Sequence, residues 1–354
     1  MILEINALDT LFFRDGKPFS KGAETWADAI FPPYPATIYG ALRTAYFDAN
    51  PQVFSKLKEN EELNFEADPT TKLKINNVFL KNQNGILFQT PRNILKKGKK
   101  SEDLEILTEF DENSLSNLSA CQILKSSGEK AKYKGSQITK IYFEDFLNAK
   151  YEYLQLLEDS VFISEPKVGI AIDQNTGTSK EEHLYRVDMM RPREELKIII
   201  DFAGLEFDDE IMFKLGGEGK FVYANVKDET YQIKMPKIDS KFLLYLNTPA
   251  IFKNGWLPSW IDKDSLIGEI PNSNLKIKLL SCAIGKPDFI GGFDMAKGEP
   301  KPMFKAVPAG SVYFMEIIEG DPAELEKIHQ RSISDLYPEQ GFGIAYIGKF
   351  KEEK

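Results

Sequence analysis

Residues Met1 to Ala7 alternate, with Leu3, Ile5 and Ala7 on one face, which predicts a half-buried strand. The stretch LFFRDGKPF, Leu11 to Phe19, then runs three apolar residues into a basic turn, Arg14 to Pro18, in which Gly16 is free to take positive φ. After a stiff entry at Pro32, Pro33 and Pro35, the residues Ile38, Ala41, Leu42, Ala45 and Tyr46 follow helical spacing. That helix offers Gly40, Arg43 and Thr44 to its other side. Leu73 to Leu80 and Ile86 to Gln89 flank NQNG, a hairpin signal. The first half therefore opens strand, helix, strand, strand.

Two later stretches share a plan. Glu195 to Val226 and Gly310 to Phe350 each read as an apolar strand, an acidic helix start, a helix, a glycine-rich loop and a last strand. Asp208, Asp209 and Asp321 suit helix starts, where carboxylates meet free N–H groups. Both stretches thus read as the closing helix and strand of a small α+β unit. KFLLYLN, Lys241 to Asn247, reads as the opening strand of the second unit, which puts the boundary near MPKIDS, Met235 to Ser240. The spacing is uneven, so this is a repeat of plan rather than of close sequence.

Two insertions break the first half. RNILKKGKK, Arg92 to Lys100, has five basic residues and no acid, and reads as a solvated loop rather than a nucleic-acid contact. Val168 to Met190 reads as a long hairpin with a polar turn from Asn175. It is either an edge hairpin or an arm that reaches over a ligand or partner. Its arms, Val168 to Ile172 and Leu184 to Val187, are apolar enough to pair; Asp173 to Glu182 is too polar to bury.

Composition narrows the class. The chain has 354 residues, 42% hydrophobic and 28% charged, enough for two ordinary domains. No apolar run is long enough to span a bilayer, and ILEIN after Met1 reads as a strand rather than a leader. Two cysteines, Cys121 and Cys282, lie far apart in sequence, which fits a reduced, cytoplasmic setting without a disulfide framework or a CxxC metal site. The formal net charge of −9 argues against broad, non-specific polyanion binding, so any bound RNA must meet basic residues focused in one place.

Catalytic signatures are missing. The two histidines are His183, in the hairpin's return, and His329, read as a surface residue among Glu326, Lys327 and Gln330. There is no GxSxG or Walker sequence, no cluster with zinc spacing, and no call for a cofactor. The loops LGGEGKF and GFGIAYIG follow a predicted helix and precede a strand, the reverse of a dinucleotide fingerprint. Their glycines either turn the chain tightly or bring backbone N–H groups close to a phosphate.

Five landmarks, in order along nearly the whole chain, carry a resemblance: LFFRDGKPF, PPYPATIYGALRTAY, GIAIDQNTGTSKEEHLYRV, KGEPKPMFKAVPAGSVYF and GFGIAYIG. The sequence resembles the third-subunit family of type III-B CRISPR Cmr effector complexes, in the RAMP superfamily. The resemblance implies an α+β fold of two ferredoxin-like (RRM-like) domains with insertions, residues 1–235 and 236–354, and a long β-hairpin thumb. It implies a non-catalytic subunit without a metal, which binds the 5′ handle of the CRISPR guide RNA, docks the large polymerase-like Cmr subunit and touches the Cmr backbone subunit. Arg14 and Lys17 in the turn and Arg43 on the helix are the candidate phosphate contacts, Lys167, His183 and Arg186 those of the thumb, and Gly341 and Gly343 the backbone contacts. Phe13 or Phe19 either stacks on an unpaired base or belongs to the core, as Phe12 and Phe13 suit. The enzymatic alternative is a RAMP-type endoribonuclease that processes precursor CRISPR RNA, with His183 as its general base.

Overall fold

A computed structural model describes residues 1–14, 26–27, 29–57, 67–111, 121–128, 131–157, 159–172, 179–193, 195–294 and 298–350. The chain folds into two compact units, each assembled from separated stretches. One comprises Met1–Ile75, Val161–Glu229 and Phe289–Phe304; the other comprises Asn76–Ser160, Thr230–Asp288 and Lys305–Lys354.

In the first unit, the strand Ile2–Ala7 lies between Lys197–Ala203 and Phe221–Lys227, antiparallel to both. Leu3 faces Ile200 and Val226, and Ile5 faces Ile198 and Ala224. The expected alternation therefore points one apolar row into the core. The helix Pro35–Ala49 begins with proline at its first turn, where the missing N–H costs nothing. It buries Ile38, Leu42 and Ala45, one stripe at helical spacing. Asn50 ends it by donating its backbone N–H and its side-chain amide to the Tyr46 carbonyl.

The helix expected after Asp208 and Asp209 is a strand. Glu210–Lys214 pairs antiparallel with Phe221–Lys227, and the Asp209 carbonyl accepts the Val226 N–H at 2.9 Å. Phe213 is buried while Met212 is 62% exposed, a period of two rather than 3.6. Gly216 at φ 83° and Gly219 at φ 63° make the turn, which the Leu215 N–H closes on the Lys220 carbonyl at 3.0 Å.

The second unit holds a six-stranded antiparallel sheet. Its order is Ile267–Glu269, Lys276–Ala283, Val312–Glu319, Lys241–Leu246, Ile344–Lys349 and Arg331–Ser332. Phe242, Leu244, Tyr313, Met315 and Ile347 are buried in it. The expected opening strand, Lys241–Leu246, is central. The NQNG hairpin forms as expected, with Asn82 opposite Gly85. The helix Lys140–Leu147 lays Phe143 flat on Phe88, ring centroids 3.8 Å apart.

The second closing helix is also replaced. Pro322–Lys327 is one short 3-10 helix, which Asp321 caps by accepting the Ala323 N–H at 2.9 Å. The acidic cap is as expected; the helix ends at Ile328, and His329 beyond it turns into the interior. Its Nε2–H donates to the Ile233 carbonyl at 2.7 Å and its Nδ1 accepts the Ile347 N–H at 3.1 Å. His329 is 6% exposed, so the expected surface residue is a core residue. Both ring nitrogens are thereby hydrogen-bonded, and the Ile233 carbonyl also accepts Gln330 Nε2 at 2.9 Å, which offsets the cost of burying the imidazole.

Candidate nucleic-acid interface

The long hairpin is the first unit's most extended feature. Phe162–Ile172 and Ser179–Pro192 pair antiparallel from Phe162 opposite Pro192 to Ile170 opposite Leu184, so it begins below the expected Val168 and Met190. Its base is anchored. Val187 and Met189 pack with Phe12, Leu11 exchanges two 2.7 Å backbone bonds with Met190, and Trp26–Ala27 runs parallel to Arg186–Val187. Phe31 and Phe162 meet at 5.1 Å between ring centroids. An isolated two-stranded hairpin is marginal in water, so this base is what makes the arm possible. The turn, residues 173–178, lies outside the described residues.

Strand alternation sets which side chains face where. Lys167 is opposite Val187, whereas Val168 is opposite Arg186 on the other face. Lys167 reaches the first glycine loop, with its Nζ 3.7 Å from a Glu218 carboxylate oxygen. Arg186 sits over Asp188 on its own strand, Nε to Oδ1 3.4 Å. Both cations are more than a third exposed and both contacts are long. A surface pair such as Lys167 with Glu218 contributes little, about 0–1 kcal/mol, so a phosphate can take Lys167 at small cost.

Arg14 is exposed and bridges antiparallel to Ala29 in the same unit. Lys17 and Phe19 lie outside the described residues, as does the side chain of His183. Phe12 and Phe13 are buried, and Phe13 meets Phe31, so both belong to the core. Segments adjoining one another thus carry Arg14, Lys167 and Arg186.

Arg43 is placed differently. Its Nη2 lies 2.5 Å from Asp68 Oδ2, and its Nε donates to Thr70 Oγ1 at 2.7 Å. Asp68 is 5% exposed, and its other oxygen accepts the Thr70 N–H and hydroxyl at 2.8 and 2.6 Å. Arg43 therefore ties the helix Pro35–Ala49 to the 3-10 turn Pro69–Lys72. Asp68 carries no motif, so nothing in the sequence announces it as Arg43's partner.

The glycine loops are both occupied from within. An added Cβ on Gly216 would lie 2.4 Å from the Phe12 carbonyl, which also accepts the Gly217 N–H at 2.9 Å. Gly341 and Gly343, in the second unit, are buried, with φ 90° and 69°. The Gly343 N–H donates to the Pro249 carbonyl at 2.7 Å and the Gly341 N–H to the Pro338 carbonyl at 3.2 Å. Thr248 Oγ1 donates to the Gly341 carbonyl at 2.7 Å and accepts the Ile344 N–H at 2.9 Å.

In the basic stretch RNILKKGKK, Lys97, Lys99 and Lys100 are exposed. Arg92 instead stacks over Tyr133, 4.6 Å from the ring centroid, and donates to the Ala309 carbonyl. Among the described residues, no group of three or more His, Cys, Asp or Glu side chains could hold a metal ion. Among them too, no helix is long and apolar enough to cross a membrane. Sequence distance hid one pair: Cys121 and Cys282 lie against the same core, on segments joined by hydrogen bonds.

The fold is mixed α/β, rich in strands and poor in helices, and it is RAMP-like. It is shared with chains in two cryo-EM structures of a type III-B Cmr-β complex, one bound to cognate target RNA and one to target RNA and AMPPnP. The TM-scores are 0.53 and 0.54 at 18% identity, covering 89% of this chain and 86% of each matched chain. The family model for CRISPR-associated protein Cas_Cmr3 matches residues 3–350, and the chain belongs to that family. The CRISPR system CMR subunit Cmr3 of Saccharolobus solfataricus is 25% identical over 323 residues, which span 89% of this chain and 86% of that protein.

Proposed function

We propose that this chain is a non-catalytic RNA-binding subunit of a type III-B CRISPR effector complex. It binds the 5′ handle of the guide RNA, docks the large polymerase-like subunit and touches the backbone subunit. The observation that carries this reading is the anchored hairpin, which sets Arg186 and Lys167, the latter in a long, exposed ion pair, beside the segment that carries Arg14. Arg14, Lys17, Lys167, His183 and Arg186 contact the RNA backbone. Arg43 acts by steadying its helix, and Gly341 and Gly343 by shaping the backbone before the last strand. In this reading residues 1–235 and 236–354 form two ferredoxin-like domains, the first opening with Ile2–Ala7, Pro35–Ala49, Lys74–Asn82 and Gly85–Gln89.

The test is filter binding of handle RNA by the assembled complex carrying Arg14→Ala, Lys167→Ala and Arg186→Ala together. Losing three phosphate contacts should flatten the slope of log affinity against log salt by about 2–3. An unchanged slope and affinity would overturn the reading. Metal-independent cleavage of repeat RNA by the purified chain, abolished by His183→Ala, would favour the endoribonuclease instead.

A further inference from the structure

The two cysteines meet in the second unit. Gln122 donates its N–H to the Leu280 carbonyl at 2.8 Å, and Ser281 Oγ donates to the Gln122 carbonyl at 2.7 Å. These bonds lay the segment that opens the strand Ile123–Leu124 alongside Lys276–Ala283. Cys121 precedes the clipped Gln122 and Cys282 follows the clipped Ser281, and both side chains pack against the same core. Both are half-buried at the margin of the six-stranded sheet's core, where Cys121 keeps a route to solvent.

The pair is asymmetric. The Cys121 S–H reaches the Gln122 carbonyl at 3.7 Å. Interaction with Cys282 holds the Cys121 thiol below its ordinary value despite partial burial. The same interaction and burial hold the proton on Cys282. That is the arrangement of an attacking and a resolving thiol. It does not suit a metal, since two thiols are half a zinc site and no third ligand joins them among the described residues.

We propose that Cys121 and Cys282 form a thiol–disulfide site, which small disulfides such as oxidised glutathione convert to a cross-link between these two segments. Cys121 thiolate attacks one sulfur of the oxidised glutathione, the S–S bond breaks, and glutathione thiolate leaves. A mixed disulfide remains on Cys121. Cys282 gives up its proton and attacks the Cys121 sulfur, expelling the second glutathione. The two cysteines lose two electrons in all, and one glutathione disulfide becomes two thiols. A bonded pair needs about 2.0 Å between sulfurs.

The test uses the purified full chain, non-denatured, near neutral pH with oxidised glutathione. Expected are loss of both titratable thiols, an intact mass lighter by two hydrogens, and a Cys121–Cys282 cross-linked peptide, all reversed by dithiothreitol. The cross-linked chain melts a few degrees higher. Cys282→Ser should retain glutathione on Cys121, and Cys121→Ser should react at least about ten-fold more slowly, since a protonated thiol is a poor nucleophile. Both thiols still titratable in the folded chain, glutathione retained by the unsubstituted chain, or cross-links between chains instead of within them would each overturn the proposal.

Discussion

His329 accepts the backbone N–H of Ile347 through Nδ1 at 3.1 Å. An accepting Nδ1 carries no proton, so the ring is neutral and its proton sits on Nε2, aimed at the Ile233 carbonyl. The one side chain thereby joins the segment before Lys241–Leu246 to the last strand. Burial is the main cause that pushes its pKa below the ordinary 6.5, while the bond to Ile233 pulls the other way.

That geometry sets a pH dependence. Below about pH 6.5 the unfolded chain takes up a proton that the folded His329 refuses, so stability falls as pH falls and recovers as pH rises to 6.5. Within the window the slope from this residue approaches about 1.4 kcal/mol per pH unit. Urea midpoints between pH 5 and 8 check it. His329→Phe should flatten this part of the profile and cost about 1–3 kcal/mol through the orphaned Ile347 N–H. An unaltered profile would show that His329 does not titrate this way.

Arg43 and the hairpin cations should separate cleanly. Arg43→Ala leaves the buried Asp68 without its cation, a loss of about 2–3 kcal/mol in thermal or urea unfolding. Lys167→Ala, taken from a long exposed pair, should change stability by less than about 0.5 kcal/mol. Equal effects on stability would mean the two kinds of ion pair have been misjudged.

Handle binding should show the reverse order. In the assembled complex Lys167→Glu and Arg186→Glu should each weaken binding of handle RNA by about 1–2 kcal/mol, and more at low salt than at high. Binding that is insensitive to both substitutions at low salt would remove the hairpin from the RNA contact.

Gly343 and Gly216 are held by close backbone neighbours. An alanine Cβ at Gly343 would sit 2.7 Å from the Ser334 nitrogen at φ 69°, and one at Gly216 2.4 Å from the Phe12 carbonyl at φ 83°. Each Gly→Ala change should cost at least about 1–3 kcal/mol of stability. Gly219, at φ 63° with open space around it, should tolerate alanine better than Gly216. Circular-dichroism melts of the three variants check that order.

Much of the frame was legible in the residues because its signals are local. The alternation of Leu3 and Ile5, the stripe Ile38, Leu42 and Ala45 behind Pro35, and the paired arms around Gly169 each need only neighbouring residues to declare themselves. Phe12 and Phe13 read correctly as core on their apolarity alone. What followed from partners distant in the chain was not legible. Ile211, Met212 and Phe213 form an unbroken apolar run without a period, and pairing with Phe221–Lys227 made it a strand. Asp68 decided what Arg43 does, and the Ile233 carbonyl and Ile347 N–H drew His329 inside. The sequence by itself determined which stretches are strands, helix and hairpin wherever one face had to be apolar. Only the tertiary structure decided which charge, imidazole or thiol meets which partner, since a contact between Cys121 and Cys282 leaves no periodic trace in the residues between them.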